Sequence, residues 1–107
     1  SLREDNIMRF IYMVQFDWST EDYGEIETEL FGTYKRALDH FHTLIQNEKN
    51  PALSWVGDQA LDEYGNVNDG YELDFLYAEG KNNQSWHIVD KSNYYRHFID
   101  LIIKVVQ

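Results

Sequence analysis

Two stretches near the start of the chain alternate between apolar and polar residues. Over residues 8–18 one face of the alternation is wholly apolar, whereas the opposite face is only half polar. A period of two with aromatic and β-branched side chains is typical of a β-strand, and the half-polar face indicates a central one. Residues 25–31 alternate in the same way after a polar turn. We therefore predict an antiparallel hairpin.

A helical pattern follows this hairpin. Apolar residues recur every three or four positions from Tyr34 to Ile45, which predicts an amphipathic helix. Thr33 stands where its hydroxyl can accept a hydrogen bond from a free backbone N–H of the first turn. The helix is expected to end before Pro51, because the proline ring disfavours a helical conformation in the preceding residue.

The second half of the chain predicts three more strands and a second helix. The strands cover residues 53–61, 71–78 and 84–89, with Gly57 as the site of a bulge in the first of them. The helix follows a cap at Asp90 or Ser92, and its apolar residues span an arc of about 200°. This arc is much wider than the stripe on the first helix.

The resulting order of elements is ββαβββα. It predicts an α+β domain with a mostly antiparallel sheet of about five strands and two helices on one face. The length of 107 residues fits a single domain over residues 1–107, in which residues 1–7 form a flexible or cloning-derived N-terminal segment. Cysteine is absent and no stretch resembles a secretion signal, so we expect a cytoplasmic protein.

The charge of the chain is strongly unbalanced. Nine basic residues face nineteen acidic ones, which gives a formal net charge of −10. If Ile26 and Leu30 face the helices, alternation turns the neighbouring glutamates outward, and the same reasoning applies to the strand over residues 71–78. We therefore predict an acidic outer sheet face, with the basic residues kept in the helical layer. The acidic face comprises Glu25, Glu27, Glu29, Glu72 and Asp74.

Two interpretations of this acidic face remain open. The charges can simply keep an exposed sheet soluble and its edges from pairing. Alternatively, they can steer a basic protein towards the sheet. The leading functional hypothesis is a non-enzymatic protein–protein interaction module whose acidic sheet face engages a basic protein. Direct binding of nucleic acid is disfavoured because phosphate recognition relies on lysine and arginine, and no membrane association is expected.

A small-ligand-binding protein or enzyme, with a pocket between helices and sheet, is the alternative hypothesis. Its candidate lining residues are Tyr12, Trp18, Trp86 and His87. No catalytic, cofactor-binding or metal-ligating residue is assigned, and we expect no cofactor. The acidic loop over residues 62–70 does not match a calcium-binding loop, because Val67 stands where that pattern needs glycine.

The wide apolar arc of the predicted C-terminal helix also bears on assembly. A single sheet face does not cover an arc of about 200°. Either the first helix packs beside it, or part of it meets a second copy of the chain. The second arrangement predicts a homodimer through the C-terminal helix, with contacts from Leu101, Ile103 and Val105.

Overall fold

A computed structural model describes residues 9–78, 83–92 and 94–106 of the chain. The predicted N-terminal segment, residues 1–7, lies outside the described residues. The chain forms, in order, the strands and helices β1 (Arg9–Ser19), β2 (Gly24–Phe31), α1 (Tyr34–Lys49), a single π-helical turn (Val56–Ala60), β3 (Tyr71–Ala78), β4 (Asn83–Asp90) and β5 (Arg96–Val106).

The five strands make one antiparallel sheet in the order β2-β1-β5-β4-β3. The last strand of the chain, β5, therefore lies at the centre of the sheet, between the hairpin β1–β2 and the hairpin β3–β4. Among the described strands, β2 and β3 form the two edges of the sheet. The five-stranded antiparallel sheet and the helical segments confirm the predicted α+β class.

Local prediction succeeded for β1, β2 and α1, and also for β3 and β4, which were predicted over residues 71–78 and 84–89. The hairpin β1–β2 pairs Tyr12 with Phe31 at one end and Ser19 with Gly24 at the other. The side chain of Thr33 accepts a hydrogen bond from the backbone N–H of Arg36, which confirms the predicted cap of α1. No helix in the described part of the chain is long and apolar enough to span a membrane.

The predicted C-terminal helix is wrong, and with it the predicted order of elements. Residues 96–106 form β5, which pairs with β1 on one side and β4 on the other. Leu101 and Ile99 are fully buried on one face of β5, while Phe98 and Ile102 are half-buried on the other. A strand with apolar residues on both faces can match the pattern of a helix with a wide apolar arc, so periodicity alone does not separate the two.

The predicted strand over residues 53–61 is also wrong. Residues 56–60 form the π-helical turn, and only Leu61 joins an isolated bridge, to Val67. Gly57 is not a bulge but the point at which this turn meets the end of α1. A Cβ atom added at Gly57 would lie 2.3 Å from the carbonyl oxygen of Lys49, so the close approach requires glycine.

The core lies between one face of the sheet and the layer formed by α1 and the π-helical turn. Because directly paired residues share a face, Val14 and Leu101 lie together on the covered face, as do Phe16 and Ile99. The buried core cluster consists of Val14, Ala37, Phe41, Ile45, Val56, Ala60, Leu61, Trp86, Ile88, Ile99 and Leu101. The opposite face of the sheet, here called the open face, has no helix over it in the described residues.

Candidate functional site

The glutamates of β2 lie on the covered side of the sheet, contrary to the prediction. The register pairs Glu29 with Val14 and Glu27 with Phe16, and both β1 residues belong to the covered face. Ile26 and Leu30 consequently point to the open face, where they are 62% and 57% exposed. The rule that apolar residues face the helices fails here because β2 is an edge strand at the margin of the covered area.

The other two acids of the predicted surface face away from the helix, as alternation predicts, but they are far from the β2 glutamates. Glu72 and Asp74 are exposed on β3 and pair with Val89 and His87, which places them on the open face. They are therefore separated from the β2 glutamates by the full width of the sheet, about 19 Å for four strand spacings. The predicted single acidic face is thus not formed. The basic residues are not segregated either, since Arg96 and Lys104 also lie on the open face.

A cleft of about 340 Å³ runs between β2 and α1. Its floor is apolar and its rim carries two carboxylates and an imidazole. The His40 Nε2 and Glu29 Oε2 atoms are 3.2 Å apart across the cleft. The lining residues are Val14, Phe16, Glu27, Thr28, Glu29, His40 and Leu44. Such a cleft combines apolar contact area with negative charge, which suits a cationic side chain with an aliphatic stem.

A chain of buried polar groups joins α1 to β5. Glu48 and His97 are only 7% and 8% exposed. The Glu48 carboxylate accepts hydrogen bonds from the His97 Nδ1 group at 2.5 Å and from the Ser54 hydroxyl at 2.9 Å. The Trp55 indole N–H donates to His97 Nε2 at 3.0 Å. Because an indole is only a donor, Nε2 must be the unprotonated nitrogen of the ring, and Nδ1–H donates to Glu48.

Trp55 also borders a second cavity, of about 330 Å³, at the end of the sheet where three loops meet. The centroid of the Trp55 ring is 5.9 Å from that of Tyr71 and 6.1 Å from that of Tyr95. Thr20 and Gln59 complete the described lining. We call this the aromatic cavity; its described walls are three aromatic rings, a hydroxyl and an amide, all uncharged.

Local hydrogen bonds hold the walls of the aromatic cavity in place. The Asp90 carboxylate accepts from the backbone N–H groups of Tyr94 and Tyr95, both at 2.9 Å, which fixes the turn into β5. The backbone N–H of Lys91 donates to the carbonyl of Gly70 at 2.8 Å and ties this turn to the loop before β3. Gly70 has a φ of 96°, a backbone conformation that favours glycine.

The open face carries a polar cluster around Asp100. Its carboxylate accepts a hydrogen bond from the Ser85 hydroxyl and lies 2.9 Å from His87 Nε2. The His87 ring stacks on the Phe98 ring with centroids 4.1 Å apart. The Arg96 guanidinium lies 5.6 Å from the centroid of the Phe98 ring. The serine donates to the aspartate rather than to the histidine, so the cluster lacks the nucleophile–base contact of a hydrolase.

The remaining predicted site residues are dispersed. Leu101 is fully buried and Ile103 packs against the core, whereas Val105 is 48% exposed. The helix that was to carry a homodimer is replaced by the central strand β5, so that contact surface does not exist as predicted. Of the candidate lining residues, Tyr12, Trp18 and Trp86 lie on the covered face but His87 lies on the open face. These four residues do not line one cavity.

Sequence reasoning missed the contact between Glu48 and His97. The available signal was the position of Glu48 on the core side of α1, where an acid needs a partner. In the predicted C-terminal helix His97 lies outside the apolar arc, so that prediction offers Glu48 no partner. No group of three or more histidine, cysteine, aspartate or glutamate residues in the described ranges could hold a metal ion. Comparison with family models, curated proteins and solved structures finds no match for this chain.

Proposed function

We propose that the chain is a non-enzymatic binding protein that takes a basic, extended segment of another protein onto the edge strand β2. The observation that carries this proposal is the composition of the two sides of β2. Glu25, Glu27 and Glu29 form a row on the same side of the sheet as α1, but they are exposed because β2 lies at the margin of the area that α1 covers. Ile26 and Leu30 are exposed on the opposite, open face.

The backbone of β2 supports strand addition. In the described sheet β2 has a single neighbour, β1, so its outer row of N–H and C=O groups is available to a further strand. The row of glutamates opposes pairing between two copies of β2, because like charges would face one another across the new pair. The same row favours a basic strand, and the net charge of −10 attracts such a partner from a distance.

The register rule specifies the partner's sequence pattern. Residues paired across two strands share a face, so the partner needs lysine or arginine opposite the glutamates and apolar residues opposite Ile26 and Leu30. An alternating basic and apolar segment meets both requirements. The cleft beside Glu27 and Glu29 can accept the aliphatic stem of one lysine while the carboxylates bind its ammonium group.

The test uses a short peptide in which lysine and valine alternate, with a control peptide of equal composition whose lysines and valines form two blocks. We expect the alternating peptide to bind at least about 10-fold more tightly, since only it satisfies both sides of β2. Replacing Glu27→Lys and Glu29→Lys should abolish this preference, slow association and flatten its dependence on salt.

The matched control is the pair Glu72→Lys and Asp74→Lys, which changes the net charge equally but lies on the other edge of the sheet. It should weaken binding much less than the β2 pair. An equal loss of affinity in both double variants would show that net charge alone causes the effect, and it would refute a site on β2. Equal affinity for the two peptides would refute strand addition.

A further inference from the structure

The aromatic cavity can serve as a binding site that is independent of β2. Its volume, about 330 Å³, is at the low end of the range of small-molecule sites, which suits a compact head group rather than a nucleotide. Three of its five described lining residues are aromatic: Trp55, Tyr71 and Tyr95. The identity of the ligand then depends on the arrangement of these rings and on the charge around them.

The rings form a corner rather than a slot. The planes of Trp55 and Tyr95 meet at 63°, and those of Trp55 and Tyr71 at 35°. A flat aromatic ligand is held best between two parallel rings, which this arrangement lacks. A compact cation, in contrast, is attracted to the negative face of each ring and benefits when several rings surround it at different angles.

The segments that supply the lining residues are more acidic than basic, which also favours a cation. The lining residues Thr20, Gln59 and Tyr95 belong to the sequence segments 20–23, 50–70 and 90–95. These three segments contain the acids Glu21, Asp22, Asp58, Asp62, Glu63, Asp69 and Asp90 against the base Lys91, and two further bases, Lys49 and Arg96, directly flank them. An anionic ligand would be repelled on approach, whereas a cation would be attracted.

The Trp55 ring is fixed in advance of binding. Its indole N–H donates to His97, which is held in turn by the buried Glu48. The polar edge of the ring is thus satisfied inside the protein. A ring that is already held in place loses little conformational entropy when a ligand binds, which strengthens a weak attraction.

We infer that the aromatic cavity binds a trimethylammonium group. A methylated ammonium ion is large and weakly hydrated, so uncharged aromatic walls receive it without the hydrogen-bond acceptors that a primary ammonium ion requires. The group occurs on small quaternary amines and on trimethylated lysine side chains. The inference does not rest on the proposed binding of a basic strand by β2.

The test probe is choline, compared with its neutral isostere in which a tert-butyl group replaces trimethylammonium. Binding is followed by calorimetry and by the NMR signal of the Trp55 indole N–H. We expect choline to shift this signal and to bind at least about 10-fold more tightly than the isostere, because only choline carries the charge. A short peptide with one trimethyllysine, titrated in parallel, shows which source of the group is preferred.

Two neighbouring tyrosines provide the variant and its control. Tyr95 lines the cavity and Tyr94 does not, and both side chains are exposed enough for substitution without loss of the fold. Tyr95→Ala should weaken choline binding by about fivefold or more, whereas Tyr95→Phe and Tyr94→Ala should leave it unchanged. Equal affinity for choline and its isostere, no shift of the Trp55 signal at about 50 mM choline, or an ineffective Tyr95→Ala would overturn the inference.

Discussion

The buried contact between α1 and β5 can be tested by truncating Glu48. The variant Glu48→Ala removes the acceptor for two hydrogen bonds, one from His97 Nδ1–H and one from the Ser54 hydroxyl. Neither donor is part of α1: His97 is in the central strand β5, and Ser54 lies two residues before the π-helical turn. The donors are then left without an acceptor in a site that solvent barely reaches.

The expected loss of stability follows from these two bonds. A hydrogen bond to a charged group contributes about 1.5–3 kcal/mol, so two contribute roughly 3–6 kcal/mol. Glu48 also lies in the last turn of α1, where the helix dipole disfavours an acid by up to about 1 kcal/mol. Removing the carboxylate also removes this unfavourable interaction with the helix dipole, which offsets part of the lost stability. We therefore expect Glu48→Ala to cost about 2–5 kcal/mol, and Glu48→Gln, which keeps one acceptor oxygen, to cost less.

The assay is urea unfolding followed by tryptophan fluorescence and circular dichroism. Asn47→Ala, an exposed substitution in the same turn, is the control and should stay within about 0.5 kcal/mol of the parent. A double-mutant cycle of Glu48→Ala with His97→Phe should show a coupling energy of at least about 1 kcal/mol. If Glu48→Ala does not fold, Glu48→Gln replaces it in the cycle. A loss below about 0.5 kcal/mol with no coupling would refute the reasoning.

Three further predictions concern backbone, ionisation and charge. Gly57→Ala should destabilise the protein by about 2 kcal/mol or more because its Cβ would clash with the Lys49 carbonyl, whereas Gly32→Ala, with open space around it, should change stability by less than about 0.5 kcal/mol in the same assay. The hydrogen bond from the Tyr23 hydroxyl to Glu25, together with the negative charge of that carboxylate, raises the pKa of Tyr23. Glu25→Gln should therefore lower the pKa of Tyr23 in ultraviolet absorbance titrations read against Tyr23→Phe, and an unchanged pKa would contradict the assignment. Because a net charge of −10 repels itself, Tm should rise between low and moderate sodium chloride in a calorimetric scan, and a flat profile would show that the acids are already neutralised locally.

The acidic surface shows what the alternation of apolar and polar residues along a strand predicts and what it does not. Alternation correctly predicts that Glu25, Glu27 and Glu29 share one side of a strand, because side chains along a strand alternate with a period of two. It does not reveal which side faces the helix, since a shift of one residue in register would exchange the two sides. The turn that pairs Ser19 with Gly24 makes that choice and brings the glutamates to the covered side.

Sequence by itself determined the elements that local rules govern: the hairpin β1–β2, helix α1 with its Thr33 cap, and strands β3 and β4. The ends of these elements differ from the predicted ones by a few residues at most. Tertiary structure decided the rest. Residues 96–106 are strand rather than helix because β1 and β4 flank them and pair with their backbone on both sides. The Glu48–His97 contact and the aromatic cavity join residues distant in the chain, and no local periodicity encodes which distant segments will meet.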